Sequence, residues 1–525
     1  MSELLTISVY LKRDTHDNGM TMEEYAQAVM SGTQPVLDHD AFVYQFGTTD
    51  DYIKVVTDWA TAKNLTVVNS HAGKASMEIS GTAEQFNNLF NITIETVTVD
   101  NYTYTTHSGE ITIPSDIDDV VEMILGLDNA PIFQHHAVEY DETIHNNVSD
   151  PNTYPNKVAV TPQQVATAYG LPSGTGAGQA VGVLELTYSG YVTGWNSTDV
   201  NNSFSRIGLS SPTVTNVLVG GATSSTTSDG ETMLDIFCAG GVAPGATVVV
   251  YTAANSGSGF VNAVLAVAND TTYNPGSLGI SWGSSTEGSD YLNSAFQACV
   301  VKGIICFTAT GDSGANNLVV GYPQTNAYQV AAGGTSLYLN SNNTWNNEAA
   351  WTGSGGGIST LISRPSWQAG LTSQTVTNTG TYGSPTALPK RGIPDISAPA
   401  DPATGYVFYL NGSLVQYGGT SAAAPFLAGA VARLLQLGTG RRISNFNTVF
   451  YSTTSAFTDI TLGNNLNSNA NGYTATTGWD AATGLGSPNA TFAQLFTQPS
   501  TFPKFNYNSR PTSGQVYPRR TTGAR

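Results

Sequence analysis

Histidine is missing from most of this chain. All seven histidines lie within residues 1–145, and the 380 residues that follow contain none. A serine or cysteine nucleophile needs a base beside it, and histidine is the usual one. In the larger part of the chain the base must be another group, unless a histidine from the N-terminal segment reaches the site.

Cysteine is also scarce. The chain has three cysteines, Cys238, Cys299 and Cys306, each in apolar surroundings. An odd number in so long a chain excludes a disulfide framework, and the spacing fits no zinc motif. We expect small core residues, with a Cys299–Cys306 bridge left open.

Long hydrophobic runs are absent as well. No run of 18 apolar residues exists, so we expect no membrane-spanning helix. The N-terminus, MSELLTISVYLKRD, lacks the basic region and apolar stretch of a signal peptide. The chain has no basic stripe, and its acidity argues against nucleic-acid binding.

Charged residues make up only 11% of the chain, and the net charge of −19 is unevenly spread. Residues 1–145 hold 5 Lys and Arg against 23 Asp and Glu, a net charge of −18, whereas residues 146–525 hold 14 against 15. Charge therefore marks a domain boundary. The scarcity of carboxylates beyond it favours tolerance of acid, because acid denaturation mostly protonates paired carboxylates.

The acidic segment, residues 1–145, reads as a small α+β domain on an antiparallel sheet. LTISVYLKR, LTVVNS and ASMEIS have the pattern of strands. MTMEEYAQAVMSG, TTDDYIKVVTDWATAKN, GTAEQFNNLFN and IPSDIDDVVEMILGL have the pattern of helices. The polar, turn-rich residues 146–157 that follow predict a linker with a processing site.

Residues 158–497 change to apolar strand runs that alternate with helices, such as AVGVLEL, TVVVYTAA and GIICFTATG. Such runs are typical of a parallel sheet covered on both faces, so we expect a doubly wound α/β domain. Residues 498–525 contain no acid and several Lys and Arg, which predicts a basic, disordered tail.

A candidate nucleophile lies in GGTSAAAP, where Ser421 stands among small residues ahead of an apolar helical run. Without histidine, carboxylates are the candidate bases. Glu231 and Asp235 in GETMLD are spaced i,i+4 and share one face of an apolar helix. Two buried carboxylates that lie close together raise the pKa of one of them, which suits proton transfer in mild acid. The alternative is a solvated helix face.

Asp312 in FTATGDSGAN is a further candidate. It follows an apolar strand at the carboxyl end, where ligand sites of α/β sheets lie. The alternative is an ordinary aspartate in a turn.

These motifs together resemble the sedolisin family, the serine-carboxyl peptidases, in precursor form. GGTSAAAP resembles the nucleophile motif, GETMLD the paired-carboxylate motif and TGDSG the oxyanion motif. TPQQVATAYGLP, ISWG, YPQTNAYQVAAGGTSL, RPSWQ and IPDISAPADPATGY match in the same order, over residues 4–497. The nucleophile motif departs from the family in one place, Gly418, where serine is common.

The resemblance implies a subtilisin-like α/β fold preceded by an activation prodomain. It gives Ser421 the role of nucleophile and Glu231 that of general base, with Asp235 coupled to it. It gives Asp312 the role of a protonated oxyanion donor, since only a neutral carboxyl can donate a hydrogen bond.

The family pattern also assigns four supporting residues. It implies that Glu185 and Trp282 extend the carboxylate network, and that Ser281 and Gly283 offer backbone groups to the substrate. Glu185 and Trp282 also fit ordinary strand ends.

A metal site is implied near the C-terminus. Asp459 and Asp480 lie among Gly-rich turns, and hard oxygen ligands of this kind suit calcium. The resemblance implies one structural Ca²⁺, with carbonyl oxygens from Ile460, Thr476 and Gly478.

The function implied is that of an acid-acting, self-processing peptidase, either an endopeptidase or a tripeptidyl peptidase. Its partners would be polypeptide substrates and its own prodomain, which acts as inhibitor and folding aid; we expect a monomer that works outside the cell or in an acidic vesicle. An ordinary subtilisin-type protease is disfavoured because no histidine follows residue 145. A catalytically inactive scaffold is disfavoured because all four catalytic positions are retained.

Overall fold

A computed structural model describes residues 4–13, 15, 19–99, 102–141, 158–288, 290–373, 375–376, 383–384, 386–438, 442–443 and 446–496. The predicted linker, residues 146–157, and the predicted tail, residues 498–525, lie outside the described residues.

The N-terminal domain is built on an antiparallel four-stranded sheet in the order β2-β3-β1-β6, as expected. Its strands are β1 (Leu4–Leu11), β2 (Thr66–His71), β3 (Ser76–Thr82), β4 (Thr93–Val99), β5 (Tyr102–Ser108) and β6 (Val121–Leu125). Its helices are α1 (Met22–Met30), α2 (His39–Phe46), α3 (Asp50–Ala62) and α4 (Ala83–Phe90). Strands β4 and β5 form a separate hairpin.

One predicted helix of this domain is wrong. IPSDIDDVVEMILGL forms turns and then strand β6, which pairs antiparallel with β1. The run Val121–Leu125 buries Val121 and Ile124 against the sheet core. Pairing with the free side of β1 therefore overrides the local helical pattern.

The second domain contains an eight-stranded, mostly parallel sheet, which confirms the doubly wound expectation. Its strands are β9 (Ala180–Thr187), β10 (Thr213–Leu218), β11 (Thr247–Ala254), β12 (Ser277–Ile280), β14 (Ile305–Ala309), β15 (Val330–Leu339), β16 (Trp345–Ala350) and β22 (Ile396–Pro399). The order is β10-β11-β9-β12-β14-β15-β16, with β22 beside β15, and only β16 runs antiparallel.

Helices surround this sheet. They are α5 (Pro162–Ala168), α6 (Ser197–Arg206), α7 (Gly230–Val242), α8 (Gly257–Asn269), α9 (Asn293–Val301), α10 (Thr420–Leu437) and α11 (Phe446–Ser452). Helices α7 and α10 are almost wholly buried and pack against each other. These two helices bring the predicted base and nucleophile into one region.

Short strands complete the domain. They are β13 (Trp282–Gly283), β17 (Gly357–Ser363), β18 (Thr372–Ser373), β19 (Thr375–Val376), β20 (Thr386–Ala387), β21 (Lys390–Ile393), β23 (Tyr406–Leu410), β24 (Ser413–Gly418), β25 (Phe457–Thr458), β26 (Gly472–Tyr473) and β27 (Ser487–Pro488).

The end of the N-terminal domain crosses the face of the second domain. Strand β7 (Gln134–His135) pairs antiparallel with β13, and strand β8 (Val138–Glu139) pairs antiparallel with β24. We call residues 133–140 the crossing segment.

The N-terminal domain also docks through its first helices. Helix α1 packs on α9, and the Leu37 amide donates to the Val301 carbonyl at 2.8 Å. Tyr25 and Phe42 share a core with the second domain, whereas the sheet has its own core. The N-terminal domain is therefore held by buried apolar contact as well as by the crossing segment.

Two further expectations, on cysteine pairing and on membrane-spanning helices, can be compared with the structure. All three cysteines are buried and free within the described part of the chain, with no Cys299–Cys306 bridge. Among the helices that the structure describes, none combines the length and the apolar character needed to cross a bilayer.

Candidate active site

Ser421 lies in the first turn of α10, directly after β24. The turn between them passes through Gly419, whose φ of 101° favours glycine. A Cβ on Gly419 would collide with the carbonyl oxygen of His136, so glycine also makes room for the crossing segment. The Ser421 hydroxyl is fully buried and has no hydrogen-bond partner among the described residues.

Glu231 and Asp235 lie on the first turns of α7. Asp229 caps this helix by accepting from the Thr232 amide at 3.0 Å. Both carboxylates are buried, Glu231 at 1% and Asp235 at 0% exposure. The solvated-face alternative is therefore wrong, and the sequence expectation of a buried carboxylate pair holds.

Asp235 is hydrogen-bonded to Ser281, which lies between β12 and β13. The Ser281 hydroxyl donates to Asp235 Oδ1 at 2.8 Å. Burial raises the pKa of Asp235, and the charge of Glu231 raises it further. Asp235 therefore keeps its proton to a higher pH than an exposed aspartate does, because its pKa is raised.

Glu185 extends this network. It lies on β9, fully buried, and accepts a hydrogen bond from Trp282 Nε1 at 3.1 Å. Burial, followed by the charge of Asp235, raises the pKa of Glu185 well above its ordinary value. The structure thus places Glu185 and Trp282 beside the carboxylate pair.

Asp312 lies at the carboxyl end of β14, beside the start of α10. Its Oδ1 accepts from the amide and hydroxyl of Thr420, both at 2.8 Å. Its Oδ2 is buried with no hydrogen-bond partner in the described structure. A Cβ built on Gly419 lies 2.6 Å from this Oδ2 and against the His136 carbonyl oxygen, so both oxygens border the same spot.

Burial raises the pKa of Asp312 to about 8, and the charge of Glu231 contributes in the same direction. The hydrogen bonds from Thr420 lower it in part. Asp312 is therefore neutral at acidic pH and can donate a hydrogen bond from Oδ2.

The crossing segment places one peptide bond between these groups. The Ser421 amide approaches the carbonyl oxygen of His136 at 3.4 Å. On the other side of the same peptide, the Ala137 amide donates to Glu231 Oε2 at 2.8 Å. The His136–Ala137 peptide therefore has its carbonyl at Ser421 and Asp312 and its nitrogen at Glu231.

Ser281 and Gly283 contact the same segment through their backbone. The His136 amide donates to the Ser281 carbonyl at 3.1 Å, and Gly283 pairs with Gln134. Both residues thus lie where the sequence analysis expected backbone groups that face a bound peptide.

His135 fills an aromatic pocket. Its ring stacks on Tyr191 at 5.5 Å between centroids and meets Trp282 edge-on, while Nδ1 lies 3.1 Å from Glu231 Oε2. Burial lowers the pKa of His135, but the hydrogen bond to Glu231 and the charge of Glu231 outweigh it, so the net direction is upward.

The predicted calcium ligands lie close together. The Thr476 amide donates to Asp480 Oδ2 at 2.8 Å, and the Gly478 amide donates to Asp459 Oδ2 at 2.9 Å. Asp480 is only 3% exposed, and no Lys or Arg forms an ion pair with it in the described ranges. Asp459 and Asp480 thus bring two carboxylates to one loop, and carboxylate oxygens suit a hard cation such as Ca²⁺.

Sequence reasoning missed several residues of this site. Asp229 also accepts from the Tyr191 hydroxyl at 3.2 Å, and its place just before an apolar helix could have marked it as a cap. The His135–His136 pair carried a weaker signal, because it precedes the turn-rich stretch. Nothing in the sequence pointed to Tyr191.

Comparisons with known proteins identify the family to which the chain belongs. Residues 1–130 match the family described as "Pro-kumamolisin, activation domain", and residues 213–476 match the "Subtilase family". Kumamolisin from Bacillus sp. (strain MN-32) is 32% identical over 513 residues, which covers 92% of this chain and 90% of that protein. Sedolisin from Pseudomonas sp. (strain 101) is 28% identical, over 85% and 79% of the two chains.

A solved structure adds the fold. Pseudomonas sedolisin, described as a serine-carboxyl proteinase complexed with two molecules of pseudo-iodotyrostatin, aligns with a TM-score of 0.52 at 28% identity. The alignment covers 64% of this chain and 97% of that one.

The fold and the relatives define a subtilisin-like serine-type peptidase that carries its own activation prodomain. Within that class, the chain belongs to the sedolisin family of serine-carboxyl peptidases.

Proposed function

We propose that this chain is an acid-acting serine-carboxyl peptidase in which Ser421 is the nucleophile and Glu231 the general base. One observation carries the proposal: the His136–Ala137 peptide is held with its carbonyl at Ser421 and its nitrogen on Glu231. A peptide bond in that position has the attacking group and the proton acceptor on the sides that acyl transfer requires.

The bond changes follow from this geometry. Glu231 takes the proton of the Ser421 hydroxyl as Oγ attacks the carbonyl carbon. The protonated Glu231 then gives this proton to the leaving nitrogen as the C–N bond breaks, which leaves an acyl group on Ser421. Water releases the acyl group by the same steps, with Glu231 again taking and returning the proton.

Two donors face the developing oxyanion. The Ser421 amide already points at the carbonyl oxygen, and protonated Asp312 donates from Oδ2. Such donors stabilise the tetrahedral intermediate more than the flat carbonyl, and removing one costs about 10²–10³ in kcat.

Asp235, Glu185 and Trp282 act on Glu231 rather than on the substrate. A protonated Asp235 accepts a hydrogen bond from the Ser281 hydroxyl and adds no negative charge beside Glu231. Because three buried carboxyl groups cannot all ionise together, the network favours a single negative charge that can move to Glu231.

The acidic working range follows from the pKa of Asp312 and from the access of solvent to its carboxyl group. The pKa of Asp312 is raised while the crossing segment buries it. Removal of that segment hydrates the carboxyl and lets its pKa fall toward its ordinary value. The mature enzyme then keeps a neutral donor only in acid.

We further propose that the precursor processes itself, with the His136–Ala137 bond cut first. The prodomain would inhibit the enzyme at neutral pH because the crossing segment fills the cleft. The processing site predicted from the sequence, at residues 146–157, lies outside the described residues and stays a prediction.

The substrates would be polypeptides that lack stable structure in acid. Relatives include tripeptidyl-peptidases from Aspergillus fumigatus, so the alternatives of endopeptidase and tripeptidyl peptidase both stand. We place the protein outside the cell or in an acidic vesicle, where such a pH occurs, as a monomer.

One structural Ca²⁺ is proposed at the loop of residues 476–480. Asp459 and Asp480 would supply carboxylate oxygens, and Ile460, Thr476 and Gly478 would supply carbonyl oxygens. The ion would offset the buried charge of Asp480 and hold the loop.

Turnover of an acid-unfolded protein across pH 2.5–8 tests the mechanism. Wild type should peak in acid, and Ser421→Ala and Glu231→Ala should each lose that activity. Tyr409→Phe, on strand β23, is a control that should retain it. Activity that survives Glu231→Ala would mean that another group is the base.

A further inference from the structure

A cavity remains beside the side chain of His136. It has a volume of about 160 Å³ and is lined by Thr310, Gln324 and several glycines. Because the His136–Ala137 peptide lies at Ser421 and Glu231, the His136 side chain marks the pocket for P1, the residue on the carbonyl side of the cut bond. The cavity is therefore the unfilled part of the P1 pocket.

Two glycines make room for a polar side chain, that of Gln324, at the floor of this pocket. The amide of Gln324 lies where Gly283 and Gly321 have no side chain, and a Cβ on Gly321 would stand 2.9 Å from Gln324 Nε2. A Cβ on Gly283 would collide with the same nitrogen. The two glycines thus allow a long amide side chain to reach the cavity.

Besides Asp312 Oδ2, three polar atoms of the residues that line the cavity are buried without hydrogen-bond partners in the described residues. They are Thr310 Oγ1, Gln324 Oε1 and His136 Nε2. Gln324 itself is only 1% exposed. A buried polar atom without a partner is costly, so a P1 side chain that supplies one is favoured over an apolar side chain of the same length.

Charge narrows the choice. The lining holds no Lys or Arg among the described residues, which disfavours an ionised carboxylate at P1. The one carboxyl in the lining, Asp312, must be neutral to donate to the oxyanion, so a basic P1 side chain would lack a counter-ion. The imidazole of His136 does not reach a partner, which favours a longer side chain.

We propose that Gln324 determines P1 specificity and selects a neutral side chain with an N–H group at its tip, glutamine first. The carboxamide of P1 glutamine donates to Gln324 Oε1, and its oxygen accepts from the Thr310 hydroxyl. This inference rests on the proposed function, since it concerns the same site.

A cycle of enzyme variants and peptides tests it. The peptides share one sequence and carry Gln, Met, Lys or Glu at P1; the enzymes are the acid-activated full-length wild type, Gln324→Met and Gln324→Glu. Wild type should cleave P1 Gln with a kcat/KM about tenfold or more above P1 Met, because a site built for hydrogen bonding rejects an isostere without it. Gln324→Met should abolish that ratio, and Gln324→Glu should raise the Lys-to-Met ratio at least about tenfold.

The ratio of kcat/KM for two peptides, measured in one enzyme preparation, does not depend on the folded fraction. A variant that folds poorly therefore still gives a valid ratio. Gln164→Met, on the capping turn of α5, is the matched control and should keep the wild-type ratios. Unchanged P1 ratios in both Gln324 variants would overturn the inference and leave the proposed function standing. A folded wild type that cleaves none of the peptides at any pH would overturn the proposed function itself.

Discussion

In the proposed mechanism, burial makes the carboxyl group of Asp312 a hydrogen-bond donor, because burial raises its pKa. One of its oxygens is held by Thr420, and the other borders the carbonyl oxygen of His136 without a partner of its own in the described structure. An ionised Asp312 would repel an oxyanion at this spot, whereas the neutral acid stabilises it.

Asp312→Asn should separate the effect of ionising the Asp312 carboxyl from the effect of placing a hydrogen-bond donor there. The amide can accept from Thr420 and donate to the oxyanion at every pH, so activity in acid should stay within about tenfold of wild type. The alkaline fall of kcat/KM should move to higher pH, because no proton remains to be lost. Asp312→Ala, which removes the donor, should lower kcat by about 10²–10³.

The pH profile of kcat/KM from pH 3 to 9 measures this. An Asn variant with the same alkaline fall as wild type would show that a different group titrates there.

Single residues were the part of the site most open to sequence analysis. The absence of histidine beyond residue 145 forced a search among only 15 carboxylates, and the structure brings Glu231, Asp235 and Asp312 to Ser421. Tyr191 and Gln324 could not be found this way. Their places depend on which strands and turns meet at the cleft, and their side chains form no motif.

Helix α7 sets the spacing of the carboxylates at the level of elements. Asp229 caps it, and Glu231 and Asp235 follow on one face, packed against α10. The sequence predicted this helix from a pair of carboxylates at i,i+4 spacing within an apolar run. The same reasoning failed at IPSDIDDVVEMILGL, where pairing of β6 with β1 decides the structure and local sequence does not show the partner strand.

The loop of residues 476–480 offers a second test at this scale. Calcium should raise the melting temperature of the Ser421→Ala full-length chain as its concentration rises, because a ligand that binds only the folded state stabilises it. Asp480→Asn should abolish this shift. Asp58→Asn, which changes an exposed carboxylate beside Lys54, is the control and should keep it.

Scanning calorimetry with calcium and then with a chelator gives the measurement. A calcium shift that persists in Asp480→Asn would place the ion elsewhere.

At the scale of the whole molecule, the two domains hold buried groups whose pKa values are shifted in opposite directions. In the catalytic domain, burial raises the pKa of Asp312, Asp235 and Glu185. In the crossing segment, burial lowers the pKa of His136 to about 4, with the charge of His135 contributing. The two sets therefore respond to acid in opposite directions.

The catalytic domain should be more stable in acid than at neutral pH. A carboxyl whose pKa is raised to about 8 in the folded state holds a proton that the unfolded chain has lost above about pH 4. Since the folded state then binds more protons, the free energy of unfolding falls as pH rises from about 4 to 8. The urea midpoint of the Ser421→Ala chain should fall over that range.

Asp312→Asn in the Ser421→Ala background should flatten this fall in part, because it removes one titrating group. A midpoint that rises from pH 4 to pH 8 would contradict the raised pKa of these buried carboxyl groups.

The crossing segment should loosen in the same acid. Below about pH 6.5 the unfolded chain protonates His136 while the bound segment keeps it neutral, so stability is lost as pH falls toward 4. His135 opposes this loss of stability in part. Burial lowers the pKa of His135, but Glu231 raises it by more, so the bound segment favours protonated His135. Proteolysis of Ser421→Ala by an added acid protease should reach residues 133–140 faster at pH 4 than at pH 5.5, relative to a peptide control.

The most direct test of the mechanism is the identity of the first bond cut when the full-length precursor is brought from pH 7 to pH 3.5. Intact mass over a time course should show an early N-terminal fragment that ends at His136 in the wild type, and no such fragment in Ser421→Ala or Glu231→Gln. A first cut elsewhere, or the same fragment from either variant, would contradict the claim that Ser421 and Glu231 face the His136–Ala137 peptide as catalytic groups.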